Sequence, residues 1–190
     1  MKTLATLALL VVLAVPASGA VIYDESVSPD LSSDPAAPTP IVFAMGGNTI
    51  LGSVGNTGSP VDIRDYITFT IPSGQVLGAL NLLSYAPDNL GFTAFNAGAT
   101  SFIPSGATDA MFLAGIHVSS AMVGTNLMPL YVTDHVTVNG LPAPQLGPGT
   151  YCFLIQQTSA ITTTYGLEFV LEAGVPVVGS TWGEIKSLYR

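Results

Sequence analysis

From residue 41 onward, apolar residues come in short runs separated by Gly, Pro, Asn or Ser. The clearest pattern spans 65–71. Ile67, Phe69 and Ile71 fall on one face and Tyr66, Thr68 and Thr70 on the other, the period-two signature of a half-buried strand. Pro72-Ser73-Gly74 closes it with a turn, and 76–85 continues as a long apolar strand. Further strands are expected at 41–45, 49–54, 91–95 and 111–118, and as a pair at 127–132 and 135–138. Residues 149–158 place Tyr151, Phe153 and Ile155 on one side. Residues 165–172 place Tyr165, Leu167, Phe169 and Leu171 inside, and the polar stretch 159–164 suits a hairpin between these two strands. Roughly eight to ten short strands without a central amphipathic helix predict an all-β fold, an antiparallel β-sandwich or jelly roll.

The two ends depart from this pattern. One cation at Lys2, an apolar run over 4–15 and small residues at Ser18 and Ala20 form a secretory signal over 1–20, so the mature chain is expected to begin near Val21. That run, at about a dozen residues, is shorter than a membrane helix, and no later run approaches ~20. Residues 21–40 read as an extended acidic, Pro-rich leader on the domain surface, 41–173 as the sandwich domain and 174–190 as a C-terminal tail. In the tail, Thr181 followed by Glu184 makes a capping box for a short helix that places Trp182, Ile185 and Tyr189 on one face. Trp182-Gly183, Lys186 and Arg190 are similar to short endings on some bacterial secreted proteins. A packed terminal helix and a sorting or attachment tag both remain open for this segment.

Charge narrows the range of partners. Four Lys and Arg stand against twelve Asp and Glu among 190 residues, a formal net charge of −8. Nucleic acid is excluded as a partner, because phosphate binding needs clustered cations, and anionic membrane surfaces are disfavoured for the same reason. A divalent cation is the partner such a field attracts. Cys152 is the lone cysteine, so no internal disulfide forms, and its apolar strand predicts a buried thiol.

Asp62 and Asp65 sit three residues apart where a loop enters a strand, and Arg64 between them offers partial neutralisation. Loop carbonyls beside carboxylates suit Ca2+, which takes six to eight oxygens. The leader adds Asp24, Glu25, Asp30 and Asp34, any of which can fold over the same edge. A turn role explains Asp62 and Asp65 equally well, and the regular spacing of an EF-hand is absent. His117 and His135, the two histidines, lie in no zinc or hydrolase signature. No catalytic residues and no cofactor other than Ca2+ are expected.

The stretch 62–75 (DIRDYITFTIPSGQ) resembles the signature of bacterial pre-peptidase C-terminal (PPC) domains, with 50–54 similar to the lead-in strand and 149–155 and 165–169 similar to the closing hairpin. The resemblance implies a jelly-roll-like sandwich that accompanies secreted enzymes, sometimes binds calcium and is not itself catalytic. The leading expectation is therefore a secreted or cell-surface, non-catalytic module for binding or surface association. Its ligand or surface component is unidentified, and self-association through sheet edges is conceivable. The alternatives are a small secreted hydrolase whose site is assembled from distant residues, and an adhesive exoprotein sorted through its tail.

Overall fold

A computed structural model describes residues 19–58, 61–100 and 109–174. The signal segment over 1–18 and the tail from 175, with its expected helix and Trp182, Gly183, Lys186 and Arg190, lie outside the described residues. The strands are β1 (Ala20–Asp24), β2 (Thr39–Pro40), β3 (Gly46–Val54), β4 (Arg64–Ile71), β5 (Gln75–Ala86), β6 (Gly91–Ala97), β7 (Ala114–Val118), β8 (Gly149–Gln156) and β9 (Thr163–Ala173). They form a four-stranded sheet, β1-β3-β9-β5, and a five-stranded sheet, β2-β4-β8-β6-β7. Pairing is antiparallel except at one edge of each sheet, where β1 runs parallel to β3 and β2 parallel to β4. No described helix is long and apolar enough to cross a membrane.

The alternation along β4 and β9 builds the space between the sheets. Ile67, Phe69 and Ile71 from β4 meet Leu167, Phe169 and Leu171 from β9, all buried. Phe153 packs edge-on against Phe169 with centroids 5.2 Å apart. Full burial of each such ring contributes about 1.5–3 kcal/mol. Cys152 points to the other face of its strand and is buried there with Tyr66, Leu154 and Phe112.

Four local expectations change. Residues 149–158 and 165–172 do not pair as a hairpin. β8 lies between β4 and β6 in one sheet and β9 between β3 and β5 in the other, so the connection crosses from sheet to sheet. Each strand is apolar enough to be central, and a central strand needs a neighbour on both sides. Residues 127–138 form no strand pair but a one-turn helix, α1 (Leu130–Thr133). The buried residues Leu127, Met128 and Tyr131 follow helical spacing, and Pro129 starts the turn. Tyr131 packs on Phe95 at 5.0 Å and shares a 2.6 Å hydrogen bond with Thr93. Residues 41–45 are not a strand either; Phe43 plugs the sandwich end against Phe69 and Phe169, at 4.8 and 4.9 Å. The glycines at 46 and 47 do not interrupt the chain but open β3. The Asn48 side chain supports that bend, accepting from Ala44 N–H and donating to the Ala44, Gly46 and Phe169 carbonyls.

Residues 25–38 leave β1 in the first sheet and enter β2 in the second, so they strap across one open edge of the sandwich. Leu31, 2% exposed, is the apolar residue this strap inserts.

Candidate functional site

The strap brings acidic residues to a place where β4 already presents one. Residues 67, 69 and 71 face the core, so period two sends Asp65 inward as well, and Asp65 is 1% exposed. Tyr165 faces inward from β9 by the same rule, and its hydroxyl donates to Asp65 Oδ2 at 2.7 Å, a hydrogen bond that joins the two sheets. The other oxygen, Asp65 Oδ1, is buried and accepts no hydrogen bond from any of the described residues. Arg64 points to the opposite face, where its Nε donates to Gln156 at 2.9 Å. The expectation that Arg64 neutralises Asp65 therefore fails on strand geometry.

Glu25, directly after β1, accepts the Leu31 amide on Oε1 at 2.9 Å and the Ser53 amide on Oε2 at 2.6 Å. One carboxylate oxygen from each of Glu25, Asp30 and Asp65 lies within 4.8 Å of the other two. Oxygens bound to one Ca2+ at ~2.3–2.6 Å are separated by no more than about 5 Å, so the three can share an ion. The all-oxygen donor set fits calcium and not zinc, which favours nitrogen and sulfur. Burial pushes the Glu25 carboxyl up to about 7 against the pull of its two amide donors, with Asp30 and Asp62 adding repulsion. Burial also pushes Asp65 up to about 10, aided by the Glu25 charge and opposed by the Tyr165 hydrogen bond. Burial, followed by the Asp65 and Glu25 charges, raises the Tyr165 phenol well above its ordinary value. Outside the cluster opens a cleft of about 430 Å³, lined by Asp24, Glu25, Asp30, Ser53, Ser84 and Thr164 among others.

The residues singled out from sequence are distributed as follows. Asp65 and Glu25 converge. Asp62 stands beside them without joining the trio; Ser33 Oγ donates to its Oδ1 at 2.9 Å, and burial raises its pKa. Asp24 lines the cleft but turns back to accept the Ser26 amide at 2.9 Å; hydrogen bonding by the Ser26 side chain, followed by this amide, lowers its pKa. Asp30, one of several acidic positions in the leader, takes the third place. The alternation alone does not pair Tyr165 with Asp65, although both residues fall on inward positions of strands bordering the same core.

A second cleft, of about 390 Å³, is lined by His117, Asp88, Phe92, Gln156, Gln157 and Ser159 among others. It contains the residue types of a hydrolase triad, with a different wiring. Ser159 Oγ donates directly to Asp88 Oδ2, which also accepts from Gln157, while His117 Nδ1 faces the Gly91 carbonyl at 3.3 Å. A triad requires the imidazole between hydroxyl and carboxylate. His135 sits in a loop, its Nδ1 2.9 Å from the Thr137 carbonyl.

No protein-family model and no curated protein matches the chain. Among solved structures, the crystal structure of Salmonella Typhimurium PliG, a periplasmic lysozyme inhibitor of g-type lysozyme, aligns at 14% identity with a TM-score of 0.33. The alignment covers 72% of this chain and 100% of that one.

Proposed function

We propose that this protein is an exported, non-catalytic β-sandwich module for binding or surface association, with Ca2+ held at its strapped edge by Glu25, Asp30 and Asp65. One observation carries the reading: oxygens of three carboxylates converge within 4.8 Å, and one of the three, Asp65, is buried with an Oδ1 that has no partner among the described residues. Leaving such an oxygen unsatisfied costs about 1–3 kcal/mol, and more if the group is charged. A cation at that point would offset this cost and the repulsion together. Asp62 stabilises the same edge through Ser33. The likeness of 62–75 to PPC domains agrees with an accessory, calcium-supported role. In this reading Trp182, Gly183, Lys186 and Arg190 belong to an attachment tail, and deleting 181–190 releases the protein from the cell surface.

The test is thermal unfolding in EDTA and in millimolar calcium. At ~100-fold above the dissociation constant, one native-state site adds about 2.7 kcal/mol. For a domain of this size that raises the midpoint by about 5–10 °C. Asp30→Asn and Asp65→Asn are expected to abolish the rise. A midpoint indifferent to calcium, or a rise that survives both substitutions, sinks the metal site.

A further inference from the structure

The cluster is distributed across a seam. Glu25 and Asp30 belong to the strap, whereas Asp65 belongs to β4 in the second sheet and is tied through Tyr165 to the first. Directly after Asp30 the strap buries Leu31, which borders a void of about 10 Å³ also lined by Ile50, Asp65, Ile67 and Tyr165 among others.

The strap's remaining attachments are single hydrogen bonds and one short strand. The Glu25 amide donates to the Leu51 carbonyl at 3.1 Å, the Tyr23 hydroxyl to the Pro29 carbonyl at 2.6 Å and Ser33 Oγ to Asp62 Oδ1 at 2.9 Å; the Ser32 carbonyl accepts the Tyr66 amide at 2.9 Å, and β2 contributes two paired residues. The sheets themselves rest on long ladders, β3 with β9 and β4 with β8, that do not involve the strap. When the cluster is ionised and holds no cation, three like charges press the strap and β4 apart at the Leu31 plug. A cation reverses the sign of that force at the same point.

We infer that the cation is the latch of the strap: its release frees residues 25–38 from the sandwich edge and opens the apolar slot filled by Leu31, while both sheets stay folded. The inference rests on the metal reading above, and two independent features support it. On the β4 side, Asp65 Oδ1 is buried without a hydrogen-bond partner among the described residues, and a bound cation would satisfy it. The Glu25 carboxylate, a member of the same cluster, also fixes the Leu31 and Ser53 amides, so movement at the metal is transmitted to the plug.

The experiment pairs calorimetric calcium titration with amide hydrogen exchange on the exported protein, with calcium and with EDTA. Calcium removal is expected to speed exchange at Leu31, Ser53 and Tyr66 by about tenfold or more, the signature of a local opening, and to leave Phe153 and Phe169 unchanged. Asp30→Asn, at an exposed position that the fold tolerates, is expected to show fast strap exchange whether calcium is present or not. Calcium binding with unchanged exchange at Leu31 and Tyr66, or with the same change throughout β8 and β9, overturns the latch and leaves the metal site standing. Absence of calcium binding overturns both.

Discussion

Asp65 occupies a position that strand geometry assigns to an apolar side chain, and Tyr165 supplies the hydrogen bond that makes it tolerable. Replacing Tyr165 with Phe leaves both Asp65 oxygens unpartnered, and is expected to cost about 1–3 kcal/mol in urea unfolding without metal. The cost should shrink in calcium. The raised folded-state pKa values of Glu25 and Asp65 fix the sign of the pH response. Their protonated forms contribute stability that is fully present below about pH 4. That contribution is lost as pH rises, through about 7 for Glu25 and towards about 10 for Asp65. In EDTA the unfolding midpoint is therefore expected to fall from about pH 4 towards pH 10, most steeply up to about pH 7, where both groups contribute. The gain from calcium grows over the same interval, because the metal binds the ionised carboxylates. Asp65→Asn should remove most of this slope; an unchanged slope would place the titration elsewhere.

At the scale of elements, the strap and the Asn48 bend are parts that a few contacts hold in place. Truncating Leu31 to Ala is expected to cost about 2–3 kcal/mol, at the lower end for a buried leucine because the site already adjoins a void. Asn48→Ala strands the Ala44 amide and carbonyl. It should cost at least about 2 kcal/mol and quicken exchange around 41–45, whereas equal loosening of β5 would show a global effect. These parts also mark where the sequence can be read and where it cannot. Period two along 65–71 correctly orients Ile67, Phe69 and Ile71, and extended by one step it places Asp65 inside. Nothing local in 127–138 signals a one-turn helix, since Leu127, Met128, Tyr131 and Val132 fit either period over so short a window. The convergence of Glu25 and Asp30 on Asp65 depends on the path of a strap some forty residues earlier in the chain. Charge and loop position point to Asp62 and Asp65 there, but do not choose among the leader's four carboxylates.

For the whole molecule, the acidic edge, the strap and the two sheets form one arrangement in which neighbours in sequence are rarely neighbours in a sheet. β3 and β4, β4 and β5, and β8 and β9 each divide between the sheets. Pairings between distant segments dominate, so folding is expected to be slow for a chain of this length, in the range of milliseconds to seconds by stopped-flow fluorescence. A microsecond relaxation would contradict that. The position of the last two strands carries a further consequence for the chain during its own synthesis. Before β8 and β9 emerge, β4 lacks its inner neighbour in one sheet, and β3 and β5 lack the strand that joins them in the other. A nascent chain ending before residue 149 thus holds rims without middles and has no stable tertiary structure to form early. That ordering delays compaction until nearly all of the domain has been made, so the growing chain stays open along most of its length until its last two strands arrive.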